Sequence, residues 1–191
     1  KKKRYIGAAV QIVGSSVKME ATREVLWRFS LSDKTVLLRG ETGTGKDLAA
    51  RYIHEHSNQA KGPFVIRNVG AIPDTLLAAE LFGCEKGAYT DAMPRQGCMG
   101  EASGGTLFLD EIGEASPLFQ TTLLRVIDSG DYQQLGSNKS RKANFRLICA
   151  TNKSLSAMVS DGGFRQDLWH RLNMLAVRMP SLREHSADVP E

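Results

Sequence analysis

Two short clusters hold most of the side chains able to do chemistry. The first is Gly40-Glu41-Thr42-Gly43-Thr44-Gly45-Lys46, three glycines ending on a lysine. Glycines at this density let a backbone curl until successive N–H groups point inward at an anion. Lys46 adds a mobile positive charge suited to the β- and γ-phosphates of a nucleotide. The second is Asp110-Glu111, which directly follows the apolar run Thr106-Leu107-Phe108-Leu109. Two carboxylates at the edge of a buried strand require a metal, a cation or water. In ATPases an acid pair so placed sets the Asp near Mg²⁺ and the Glu near the attacking water.

Both clusters depend on the elements around them. Thr35-Val36-Leu37-Leu38 has the look of a buried parallel strand, and a helix is expected from about Gly45 to His56. That strand–loop–helix setting is the one a phosphate loop requires. One position departs from the general pattern: Asp47 stands where a Ser or Thr usually ligates Mg²⁺. Its carboxylate either holds the metal through water or repels phosphate.

Further elements alternate in type. A helix is expected over 19–30, a strand at 64–66, a helix over 73–82 and a strand at 106–109. A helix beginning near Pro117, a strand over 145–150, a helix over 164–172 and a strand over 174–179 follow. This alternation predicts a mostly parallel sheet covered on both faces. Residues 83–104 are Gly-rich without periodicity and read as an exposed excursion.

Bulk composition fits one soluble domain, with 41% hydrophobic and 24% charged residues in 191. Net charge is +4, and four of the positive charges are Lys1, Lys2, Lys3 and Arg4. That is no clustered stripe of the kind nucleic acid binding needs. The basic start reads as a linker over 1–12, and no apolar run reaches the ~20 residues that span a bilayer. Cys84, Cys98 and Cys149 are odd in number and lack CxxC spacing, which favours free structural thiols in a reducing cytoplasm.

With these residues in view the chain resembles the central ATPase domain of the sigma-54-dependent bacterial activators, an AAA+ family. Gly40–Asp47 is similar to their GESGTGKE loop, so Asp47 shortens a family Glu. Gly104-Gly105-Thr106-Leu107-Phe108-Leu109-Asp110-Glu111-Ile112 matches GGTLFLDEI throughout. Ala150-Thr151-Asn152 resembles the sensor segment. Phe164-Arg165-Gln166-Asp167-Leu168-Trp169-His170-Arg171-Leu172-Asn173 resembles FREDLYYRLN.

The resemblance implies a three-layer P-loop core with a five-stranded parallel sheet over 13–180, using ATP and Mg²⁺. It implies nucleotide contacts from Gly40, Glu41, Thr42, Gly43, Thr44, Gly45, Lys46, Asp47, Leu48 and Val13, the last in the adenine segment Ile12-Val13-Gly14. Asp110 and Asp47 would hold the metal, and Glu111 would polarise the water. Asn68 would restrain Glu111, and Asn152 would sense the γ-phosphate. Arg165 and Arg171 would reach a neighbouring subunit's nucleotide in a ring, usually a hexamer in this family. Six residues apart in one helical segment, the two arginines would lie some ~240° apart and need not share a job.

Glu80–Ala92 resembles ELFGHEKGAFTGA, whose GAFTGA tip contacts the sigma factor. Here Gly87, Ala88, Tyr89, Thr90, Asp91 and Ala92 read GAYTDA. Tyr89 keeps an aromatic anchor, while Asp91 removes glycine's freedom and adds charge. Cys84 stands for a usual His, Cys98 and Gly100 for Arg and Glu, and Gln59 for Arg. The expected output is remodelling of the closed complex of sigma-54 RNA polymerase. The alternative is an ATPase or nucleotide switch whose altered loop serves another protein client. Residues 181–191 read as the start of a connection to a helical lid. DNA contact is expected only through a further domain, since no helix-turn-helix pattern occurs in these residues.

Overall fold

A computed structural model describes residues 10–88 and 93–188. Helix α1 (Val17–Ser30) starts on Ser16, whose hydroxyl accepts from Met19 N–H, and buries Met19, Thr22, Leu26 and Ser30 along one stripe. Strand β1 (Val36–Arg39) leads into the glycine loop and α2 (Lys46–Glu55). Then come β2 (Phe64–Asn68), α3 (Leu77–Phe82), the two-residue strands β3 (Gly83–Cys84) and β4 (Arg95–Gln96), and α4 (Cys98–Glu101). Strand β5 (Thr106–Asp110) precedes α5 (Pro117–Ser129), which has Ser116 as N-cap and Gly130 in the left-handed region just past its end. The short strands β6 (Asp131–Gln133) and β7 (Ser140–Lys142) are followed by β8 (Arg146–Thr151), α6 (Leu155–Ser160), α7 (Gln166–Leu172) and β9 (Leu175–Arg178).

The main sheet has the order β2-β5-β8-β1-β9, and every neighbouring pair is parallel. Successive side chains of a strand point to opposite faces, and the core divides accordingly. Leu37, Leu107, Leu109, Leu147 and Cys149 pack with Leu81, Met99, Phe119, Leu123 and Leu168. Val36, Leu38, Phe108, Ile148 and Ala150 pack with Leu26, Ala49, Ala50 and Ile53. The result is helix, sheet, helix, as the alternation of elements predicts.

Buried polar groups tie the layers. The guanidinium of Arg146, 2% exposed, donates to Phe29 O and Ser30 O and so satisfies the carboxyl end of α1 from the sheet. The His54 ring lies 2.9 Å from Thr106 Oγ1, linking α2 to β5.

The expectation of an exposed excursion over 83–104 is corrected. Cys98, Met99 and Ala102 are fully buried, because α4 folds back beneath α3 and fills the core. The base of the excursion is closed by β3–β4 pairing, by an ion pair of Arg95 with Glu80, and by Cys84 Sγ donating to Met93 O. Strands β6 and β7 form a polar hairpin that the sequence reading did not anticipate. Next to it, Leu135 exchanges backbone bonds with the ascending arm (Glu85 N–H to Leu135 O, 2.9 Å; Leu135 N–H to Gly83 O, 3.0 Å). The loop-tip residues Tyr89, Thr90, Asp91 and Ala92 lie outside the described residues, and so do residues 1–9 of the basic start.

The helix expected over 73–82 begins as a single tight turn, Asp74–Leu76, before α3. Arg165 is also corrected. It is the extended N-cap of α7 (φ −70°, ψ 130°), outside the helix, so the helical angle between it and Arg171 does not apply. All three cysteines are buried and free. Burial pushes the Cys98 thiol up to about 12 and the Cys149 thiol up as well. Among the described residues no helix is long and apolar enough to cross a membrane.

Candidate functional site

Strands β1, β5 and β8 lie side by side and run the same way, so their carboxyl ends open on one edge of the sheet. That edge is where ligands bind in parallel α/β folds. β1 delivers the glycine loop there. Gly43 and Gly45 have φ of 83° and 76°, conformations open to glycine at no steric cost. Gly40 N–H donates to Thr151 O at 3.2 Å, anchoring the loop's start to β8. Gly45 is the N-cap of α2, so the positive end of that helix faces the loop. Lys46 Nζ donates to Gly40 O (3.0 Å) and Glu41 O (2.9 Å), which holds the ammonium over the loop.

β5 brings the carboxylates. Asp110 closes the strand, and its Oδ1 accepts from Glu111 N–H at 2.9 Å. Glu111 has φ 54° and ψ 42°, the one non-glycine with positive φ among the described residues. A left-handed L-residue costs about 1–2 kcal/mol and persists where surrounding contacts hold it. Here the turn swings the carboxylate sideways toward β2. The parallel register sets Asn68 opposite Asp110, and Asn68 Nδ2 donates to Glu111 Oε2 at 2.8 Å.

β8 ends in Thr151, after which Asn152 Nδ2 donates to Thr42 Oγ1 at 3.4 Å. Thr42, Gly43, Gly45, Lys46, Asp47, Asp110, Glu111 and Asn152 line one cleft of about 240 Å³. A larger hollow of about 670 Å³ between α5 and the β6–β7 hairpin gathers no comparable set of converging charges. The cleft therefore combines a curled N–H-rich loop, a helix amino end, one lysine and three carboxylates. Such a set can bind a polyphosphate with a hard cation, and can polarise a water near its end.

Several sequence-predicted residues lie apart from this cleft. Val13 and Leu48 are 60% and 47% exposed and are not among its lining residues. Arg165 is the N-cap of α7 and Arg171 lies in its last turn. Arg165 Nε and Nη2 donate to the two carboxylate oxygens of Asp167 at 3.0 and 2.7 Å. That bond raises the Arg165 pKa and lowers the Asp167 carboxyl below its ordinary range. Arg171 Nε lies 2.9 Å from Asp128 Oδ1 on α5.

Residues that the sequence reading passed over support the site from behind. Buried Gln120 donates to Ala115 O and Gly163 O and accepts from Arg165 N–H at 2.8 Å, fixing the start of α7 to α5. Its signal was a polar residue inside the apolar stripe Phe119, Leu123, Val126. Arg183 pairs with Glu41 of the glycine loop, and Asp188 takes three hydrogen bonds from Ser15 N–H, Ser16 N–H and Ser16 Oγ–H. Asp188 has no periodic or motif signal, while Arg183 lies in Leu182-Arg183-Glu184-His185, which resembles the family's LPPLRER run without pointing to Glu41.

The family described as the Sigma-54 interaction domain matches residues 12–178. A Nif-specific regulatory protein of Azotobacter vinelandii is 49% identical over 181 residues, covering 94% of this chain and 35% of that protein. The DNA-binding transcriptional regulator NtrC of Escherichia coli (strain K12) is 45% identical over 185 residues, covering 96% of this chain and 39% of NtrC. The crystal structure of NtrX from Brucella abortus in complex with ADP superposes with a TM-score of 0.89 at 34% identity, over 96% of this chain and 41% of that one. The chain thus spans well under half the length of the relatives it matches. Glycine loop, acid pair and sheet order together give the P-loop NTPase fold of the AAA+ type. The chain belongs to the Sigma-54 interaction domain family, the nucleotide-binding AAA+ domain of sigma-54-dependent transcriptional activators.

Proposed function

We propose that this chain binds ATP with Mg²⁺, hydrolyses it, and uses the cycle to remodel the closed complex of sigma-54 RNA polymerase. The observation that carries the proposal is the convergence of Lys46, Asp110, Glu111 and Asn152 on one cleft. Lys46 and the loop N–H groups bind the phosphates. A cluster of carboxylates suits a hard divalent cation, so Asp110 and Asp47 fit Mg²⁺. Bound Mg²⁺ would supply neutralisation of charge on the β- and γ-phosphates. Glu111 polarises the water for in-line attack, and Asn68 restrains it through the 2.8 Å bond. Asn152 reports on the γ-phosphate. Arg165 and Arg171 act on the nucleotide of a neighbouring copy, which implies a homo-oligomeric ring, a hexamer by resemblance. Residues 13–180 are the motor core, and 181–191 lead toward a lid. The protein works in the cytoplasm, and DNA is reached only through another domain.

Residues 87–92 are the proposed sigma-54 contact. A second reading is favoured by one sequence feature: Asp91 sets a negative charge within that tip. Under it, the motor is intact and the client is a different protein. The test uses the intact protein, trapped with ADP and a metal-fluoride phosphate mimic, and measures sigma-54 binding with and without Asp91→Gly. Binding by the unmodified protein supports the first reading. Binding only after Asp91→Gly supports a changed client. Hydrolysis with no binding by either protein overturns the sigma-54 assignment.

A further inference from the structure

Arg165 and Arg171 are held in different ways. Arg165 has its Nε–Nη2 edge closed by both oxygens of Asp167, and its backbone N–H is bound by Gln120. Arg171 meets a single oxygen in an ion pair, with Nε 2.9 Å from Asp128 Oδ1. Its guanidinium makes no hydrogen bond among the described residues. Asp128 therefore holds Arg171 by charge at one point, and the Nη edge stays available to a planar or tetrahedral anion.

The support beneath this pair is rigid. Asp128 is on the last turn of α5, whose Phe119, Leu123 and Val126 are buried in the same core cluster as Leu168 and Leu172 of α7. Arg171 and Asp128 are themselves about half exposed, with side-chain exposures of 59% and 46%. The guanidinium therefore stands on the surface, and one carboxylate from a second helix limits its rotation.

We propose that Asp128 is a positioning residue for Arg171, orienting its free edge toward the polyphosphate bound by an adjoining copy of this chain. The inference rests on the in-trans role of Arg171 proposed above. It assigns Asp128 no contact with nucleotide. Removing its carboxylate leaves Arg171 present but loosely aimed, so turnover falls while nucleotide affinity stays the same.

The experiment compares wild type, Asp128→Ala, Asp128→Glu, Arg171→Ala and the double variant Asp128→Ala/Arg171→Ala in the intact protein. ATP turnover is measured at saturating protein and nucleotide. Asp128→Ala is expected to lower kcat by about two- to fivefold, the scale of an exposed ion pair, with KM unchanged. Asp128→Glu recovers part of the loss. In the Arg171→Ala background, Asp128→Ala has no further effect, since the cycle removes the one interaction it acts through. An equal loss in both backgrounds overturns the proposal, as does unchanged or raised turnover in Asp128→Ala. Full turnover in Arg171→Ala is a separate result: it overturns the in-trans arginine reading itself.

Discussion

The amide of Asn68 and the carboxylate of Glu111 meet at 2.8 Å across strands β2 and β5, so the proposed water-polarising group is tethered by its neighbouring strand. Glu111→Gln keeps the size of the side chain and removes its basicity. Its single-turnover hydrolysis rate is expected to fall by about 10²-fold or more, with nucleotide affinity unchanged. Asn68→Ala frees the carboxylate instead. It should keep hydrolysis within about tenfold of wild type and lose the nucleotide dependence of sigma-54 binding.

ATP turnover per subunit should rise with protein concentration, because Arg165 and Arg171 line no part of their own chain's cleft. At saturating protein, Arg171→Ala is expected to lose about 10³-fold in turnover. A specific activity that stays flat over a wide concentration range would count against catalysis between subunits.

His54 gives the fold an acid-sensitive seam. Burial lowers its pKa; Arg146 and Arg51 lower it too, against an opposing effect of Glu55. The folded protein therefore binds this proton less readily than the unfolded chain does. Stability contributed by neutral His54 is fully present above about 6.5, the ordinary histidine value, and is lost as pH falls through the lower folded value. Urea midpoints should drop on acidification below about pH 6.5, and His54→Phe should flatten that dependence.

Gly105→Ala should destabilise the fold by about 2–3 kcal/mol in urea unfolding, since its Cβ would stand 2.0 Å from Pro63 O, a backbone atom that cannot move aside cheaply. Gly104→Ala meets open space and answers only for its φ of 73°, about 1 kcal/mol. Equal losses for the two would contradict the close passage of residues 62–63 against 104–105.

The sequence discloses the phosphate loop and the acid pair because each is local: glycines beside a strand, carboxylates at the end of an apolar run. The sheet order is different. The resemblance alone sets Asn68 beside Glu111; no local pattern in Phe64–Asn68 places it opposite Asp110, because register is set by pairing between segments some forty residues apart. Helix α4 leaves no such mark because Cys98-Met99-Gly100-Glu101 is too short to display a period, although Cys98 and Met99 are fully buried. The β6–β7 hairpin leaves none for a similar reason, being made of three-residue strands rich in polar side chains. Arg165 looked helical from its neighbours, and only the backbone reveals it as an N-cap.

The carboxylate of Asp188 also changes how a load would travel through the domain. It takes the N–H groups of Ser15 and Ser16, residues 173 and 172 positions away, and Arg183 nearby grips Glu41. A pull on the chain at residue 188 is therefore shared at once by the first turn of α1 and the rim of the glycine loop. Strand β9, although covalently nearer, does not carry it alone. Mechanically the segment 181–188 behaves as a belt fastened at two points, and tension at one buckle is felt at the glycine loop.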